Sequence, residues 1–135
     1  GGMCIATSST TSVHALSYPL GGKYRIAHGI SNAILLPFVM RFNTVGSEGK
    51  FRDIALAMGL DVASLPAAEA ASAVVAALFA LNRDLQIPGD LKRWNITGVD
   101  LETLVDGAAK VTRLLDNNPR PMDRAAIRAI YEQLI

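Results

Sequence analysis

The chain has 135 residues, with 13 basic and 12 acidic side chains, and is 50% hydrophobic but only 6% aromatic. At roughly 150 residues per domain this is a single domain, and one of this size buries roughly 68% of its extended-chain surface. The net charge of +1 excludes the clustered basic excess of a duplex-binding surface, and the hydrophobic content excludes a disordered chain.

Alanine supplies much of the apolar content, which favours closely packed helices over a β-sandwich rich in Val, Tyr and Phe. Met3 to about Leu20 reads as a first helix that stops before Gly21-Gly22, with Lys23 to Ala27 as a short connection. The Thr7 to Ser12 stretch of that helix is rich in Ser and Thr, small enough for another backbone or a ligand to approach. His28 to about Asn43 follows, bent at Pro37, which lacks a backbone donor. Ser47 caps a third helix, about Glu48 to Met58, and Gly59 stops it. Pro66 lies in the first turn of a fourth, which runs to about Gln86, ends at Pro88-Gly89 and is apolar nearly all round, as a central helix would be. Asp100 caps a fifth, with Leu101, Leu104, Val105, Ala108 and Leu115 on one stripe. Asn117-Asn118-Pro119 ends it, and Asp123 caps the last, where Ile127, Ile130, Tyr131 and Leu134 follow the helical period. No alternating strand pattern and no internal repeat occurs. The expected fold is all-α, one domain over residues 1–135 with about six helices.

The single cysteine, Cys4, excludes an intramolecular disulfide and a Cys-based zinc framework. Nothing marks an oxidising compartment, so a cytoplasmic location is expected. The longest uncharged runs are too polar or too short for the ~20 apolar residues of a membrane span, and no basic-then-apolar signal peptide opens the chain. No membrane or nucleic-acid partner is expected. Opening on Gly1-Gly2 rather than Met is expected either of leftover cloning residues or of a piece of a longer polypeptide.

The two histidines, His14 and His28, are fourteen residues apart. Gly21-Gly22 lies between them, so the chain can fold back and bring both imidazoles to one point. Imidazole suits Zn, Fe, Ni and Cu, and a histidine pair is half of a four-ligand site. Gly29, directly after His28, lets the backbone lie close to an ion or cofactor. The alternative is that each histidine is an ordinary core or surface residue. No acidic residue lies between Gly1 and Ser47, so further ligands must come from far along the chain or from outside it. Asp53, Asp61, Asp84 and Asp106 show no ligand-like pairing with either histidine; Arg41, Arg52, Arg83 and Arg93 read as a solvated surface, and Thr10-Thr11-Ser12 as the close-packed face of the His14 helix.

Three segments carry a resemblance: His14-Ala15-Leu16-Ser17-Tyr18-Pro19-Leu20-Gly21-Gly22, then His28-Gly29-Ile30-Ser31-Asn32-Ala33, then Leu35-Leu36-Pro37-Phe38-Val39-Met40-Arg41-Phe42-Asn43. With Asn118-Pro119-Arg120-Pro121 near the end, they make the chain resemble the C-terminal part of the iron-containing (group III) alcohol dehydrogenases. That resemblance implies an all-α domain that pairs, in family members, with an N-terminal α/β domain binding NAD(P). It implies a divalent ion, Fe²⁺ or Zn²⁺, held by one Asp and three His, two of which map onto His14 and His28. The other two ligands and the nucleotide-binding domain belong upstream of any segment present here. The implied reaction is hydride transfer between NAD(P) and a short-chain alcohol or aldehyde.

Tyr18 departs from the pattern of the many members that carry a histidine there, proposed as a proton relay. It is the candidate catalytic residue, although a phenol relays protons only if its pKa falls well below its usual ~10; otherwise it shapes the pocket. Leu114 stands where some members place a pocket cysteine, which suggests a more apolar substrate region. Two other readings stay open: a relative such as a maleylacetate reductase or a hydroxyacid–oxoacid transhydrogenase, and a non-catalytic helical module. An apolar face is expected around the histidines, where the α/β domain would dock or the chain would form a homo-oligomer.

Overall fold

A computed structural model describes residues 1–135. The fold is all-α, as expected, with eight α-helices and two 3₁₀ turns instead of about six helices. In chain order these are α1 (Gly2–Ser8), α2 (Ser12–Tyr24), α3 (His28–Thr44), α4 (Glu48–Ala57), α5 (Ala67–Asp84), the 3₁₀ turns Lys92–Trp94 and Gly98–Asp100, α6 (Leu101–Ala109), α7 (Thr112–Leu115) and α8 (Arg124–Glu132).

The extra helices come from breaks inside two expected ones. Ser9 adopts a left-handed φ of 61° and separates α1 from α2. It lies in the Ser/Thr run, where short hydroxyl side chains compete with the helix for backbone hydrogen bonds. The second break, at Lys110–Val111, divides α6 from α7. α2 does not stop before Gly21-Gly22 but continues to Tyr24, so the expected connection Lys23–Ala27 shrinks to Arg25–Ala27. Arg25 ends it in the left-handed region, at φ 55°, with its N–H on the Gly21 carbonyl and the following Ile26 N–H on the Leu20 carbonyl. Three expected helix starts are also corrected. Ser47 stands at the N-cap of α4 without a side-chain bond, and Pro66 precedes α5 rather than joining its first turn. The Asp100 carboxylate accepts from the Thr97 N–H and the Tyr24 hydroxyl, not from α6. Asp123 caps α8 as expected, accepting from Ala126 N–H at 2.8 Å.

α5 is not the central helix. It ends at Asp84, ahead of Pro88, and buries only Ala70, Ala71, Val74 and Val75, while Leu85 is 63% exposed. Of its other alanines, Ala68 and Ala76 are exposed and the rest only partly buried, and so small a side chain loses little in water. α2 holds the centre, packing on α3, α6 and α7. Val13, Ala15, Leu16 and Leu20 of α2 join Ile34, Leu35 and Val39 of α3 and Leu104, Val105, Ile127 and Tyr131 of α6 and α8 in a 19-residue core. A separate six-residue cluster lies between α4 and α5. At the α2–α6 crossing, a Cβ on Gly107 would stand 2.9 Å from the Pro19 Cβ, so this close approach needs glycine.

Polar bonds fix these helices at specific points. Pro37 has no N–H to offer the Ala33 carbonyl one turn earlier, and Asn82 of α5 donates to that carbonyl instead, at 2.6 Å. The Tyr131 hydroxyl of α8 donates to the Leu16 carbonyl at 2.6 Å. At the opposite end of α3, Asn43 and Asn118 pair reciprocally at 2.7 and 3.0 Å, and Ser12 Oγ donates to Asn118 Oδ1 at 2.5 Å. Asn118 also donates to the Arg120 carbonyl, and the Arg120 guanidinium reaches the Phe42 carbonyl and covers the Phe42 ring.

Two expectations follow. Asn118→Ala strips partners from buried Ser12 and from both ends of the Asn43 amide, and should cost about 3 kcal/mol, or about 10 °C in Tm for a chain of this size. Thermal melts check this, and a shift of only a degree or two would show that the pairing is dispensable. The second concerns alkaline pH. Burial and the bond to Asp100 push Tyr24 up to about 12, and burial raises Tyr131 further. Folding therefore favours both protonated phenols. Their stabilisation is complete below the unfolded value of ~10 and is lost as pH rises through 10 to 12. Denaturant melts at stepped pH should show that decline, and Tyr24→Phe with Tyr131→Phe should flatten it.

Candidate metal centre

His14 lies in the first turn of α2, not in the second half of a longer helix, and His28 is the first residue of α3. Their rings meet with centroids 5.1 Å apart and planes inclined by 55°. The fold-back expected from the sequence thus brings both imidazoles together.

Asn32 closes the arrangement. It stands one helical turn beyond His28, and its side-chain nitrogen lies 3.0 Å from His28 Nε2 and 3.4 Å from His14 Nε2. Both Nε2 atoms therefore point at one small region of space. Burial and the neighbouring His28 lower the His14 pKa, so the neutral ring, which alone can offer a lone pair to a cation, is favoured. His28 is exposed, and the pair opens onto the surface. The residues fit two positions of a divalent-cation shell: nitrogen donors suited to Fe²⁺ or Zn²⁺, aimed together. They do not make a whole shell, since no group of three or more His, Cys, Asp or Glu side chains is gathered anywhere in the chain. Asp84 pairs with Arg83, and Asp106 with Arg124.

A groove runs alongside, lined by Ile5, Val13, Leu36 and Met40 with Thr10 and Thr11 at its polar margin. Tyr18 lies one turn beyond His14 and is 46% exposed. Leu114, by contrast, is 1% exposed within the main core. It packs against other core residues, so it does not make a substrate region more apolar. Of the Thr10-Thr11-Ser12 run only Ser12 is fully buried, through its bond to Asn118. Arg41 is exposed as expected, yet it lies over the rings of Phe38 and Phe79. Arg52 reaches the Ala63 carbonyl.

Sequence reasoning missed Asn32 as a site residue. The available signal was its spacing, four residues after His28 and so on the same helix face. No helix is long and apolar enough to cross a membrane.

Comparison with known proteins gives the family and the fold. The long-chain-alcohol dehydrogenase 1 of Geobacillus thermodenitrificans is 40% identical over 131 residues, which cover 97% of this chain and 33% of that protein. The lactaldehyde reductase of Escherichia coli K12 is 42% identical over 107 residues, 79% of this chain and 28% of that protein. The solved structure of an alcohol dehydrogenase from Oenococcus oeni superposes with a TM-score of 0.91 at 28% identity, over 99% of this chain and 35% of that one. The chain thus spans about a third of the length of the relatives it matches. The family model described as "Fe-containing alcohol dehydrogenase family, C-terminal" matches residues 1–135 in full, and the chain belongs to that family as its C-terminal helical part.

Proposed function

We propose that this chain is the helical part of a metal-dependent alcohol dehydrogenase, in which His14 and His28 are two ligands of a divalent cation, Fe²⁺ or Zn²⁺. The substrate pair is a short-chain alcohol and its aldehyde, with NAD or NADP as hydride partner. The observation that carries this reading is the convergence of both Nε2 atoms on one point from two separate helices, in a chain of this family. When bound, such a cation supplies Lewis acidity toward the alcohol or carbonyl oxygen while the nicotinamide supplies the hydride chemistry.

The chain's own residues have definite parts in this. His14 and His28 bind as neutral donors and bring no charge of their own, so they leave the bound cation electrophilic. The apolar wall of Ile5, Val13, Leu36 and Met40 is where we place the docking α/β domain, which would exclude water beside them. That domain would bring the Asp, the third His and the nucleotide site, and the greater length of the relatives leaves room for it. Tyr18, half-exposed one turn beyond His14 on the same helix, would shape the space where the alcohol enters.

In the polypeptide that carries both domains, His14→Ala and His28→Ala should each remove most of the bound metal, measured by elemental analysis, together with turnover. Full metal content in either variant would end the ligand assignment. Tyr18→Phe should lower kcat/KM by less than about tenfold, under ~1.4 kcal/mol of transition-state stabilisation. A hundredfold loss would instead assign the phenol a proton-relay role.

A further inference from the structure

We propose that Asn32 is the positioning residue of the histidine pair: its amide donates to both Nε2 atoms, holds both rings as Nδ1–H tautomers and stands where their lone pairs meet. This rests on reading His14 and His28 as a ligand pair.

The geometry is specific. A side-chain amide nitrogen carries two hydrogens, one for each acceptor, and the two acceptors lie 3.0 and 3.4 Å away. A neutral imidazole accepts through only one nitrogen, so acceptance at Nε2 puts the proton on Nδ1. The orientation of the amide has a cost. Asn32 Oδ1 is buried with no partner, the one such side-chain atom in the chain, and an unpaired buried acceptor is unfavourable. The donor end thus faces the histidines while the oxygen goes unpaired. Asn32 is also held from behind, because the adjacent Ala33 carbonyl is tied to Asn82 at 2.6 Å.

Two N–H groups cannot share their position with a cation. Asn32 therefore keeps both rings in the acceptor state a metal requires, and then yields. A cation held by both lone pairs would require the amide to turn aside.

The test uses the 135-residue chain, labelled with ¹⁵N-histidine, metal-free, at about pH 8.5, well above the usual imidazole pKa. Long-range ¹H–¹⁵N spectra should show both rings protonated at Nδ1, and Asn32→Leu should shift both toward a tautomer mixture. Asn32→Asp puts a carboxylate at the same point and should tighten binding of ZnCl₂, measured by calorimetry, by about tenfold or more, whereas Asn32→Leu should not. Nε2–H tautomers in the unaltered chain, tautomers unmoved by Asn32→Leu, or no tightening in Asn32→Asp would each overturn the inference. If the Leu variant fails to fold, the unaltered chain and the Asp variant still decide. The ligand-pair reading fails separately, if ZnCl₂ leaves the ring signals of the unaltered chain unmoved while the metal-free tautomers are as expected.

Discussion

The reciprocal pairing of Asn43 with Asn118 is the constraint on which the rest of the arrangement depends. Asn43 lies near the end of α3, Asn118 in the segment between α7 and α8, and Ser12 at the first turn of α2. Three parts of the chain distant in sequence thus meet through buried amides, whose bonds strengthen where water is excluded. His14 is two residues from Ser12, so the position of its helix turn is set by this knot. The Asn-Pro-Arg segment that helps to mark the family is therefore structural in this chain. Its asparagine pairs with α3, and its arginine covers Phe42 and holds that residue's carbonyl.

The other end of the site is fixed by a compensated defect. Pro37 costs α3 one backbone bond, and the carbonyl it frees, Ala33, is taken by Asn82. A proline in mid-helix usually means a kink with an unsatisfied carbonyl; here the carbonyl becomes the attachment point of α5. The small core between α4 and α5 is thereby fastened to the turn of α3 that carries Asn32. Across the molecule, the Gly107–Pro19 contact and the Tyr131 bond to Leu16 clamp α2 against α6 and α8. Both histidine-bearing helices are thus held by groups outside the site.

What the sequence made legible was whatever is local. The period of Ile127, Ile130, Tyr131 and Leu134 and the Asp123 cap describe α8 correctly, because an amphipathic stripe and a cap act over a few residues. The histidine pair was legible for a different reason: only two histidines exist, and motif resemblance marked both as candidate ligands. The breaks at Ser9 and at Lys110–Val111 were not legible, because hydroxyl-rich and β-branched residues tolerate helix and turn almost equally and tertiary packing decides. Reading α5 as central failed because alanine counts as apolar in composition yet remains comfortable at a surface. Leu114 was misplaced because a family position says where a side chain sits only if the local backbone does not turn it into the core. Asn32 was overlooked because an amide has no chemical signature until two acceptors are seen on either side of it.

On the function proposed above, dividing a metal site between two domains has a physical consequence. Two imidazoles supply direction but little affinity, since each is neutral and the shell is half complete. Strong retention of a cation then needs the remaining ligands, and in particular a carboxylate that adds charge. Metal binding and domain closure become one coupled event, with each stabilising the other by the same free energy. The helical part contributes preorganisation to that event: two rings held in the accepting tautomer, on helices whose ends are tied down by Asn43, Asn118 and Asn82. A site assembled this way loses its metal when the domains part, so the lone pairs need an interim partner that binds them without competing strongly. A neutral amide suits that position better than a charged side chain, because its two hydrogen bonds are weak enough for a divalent cation to replace.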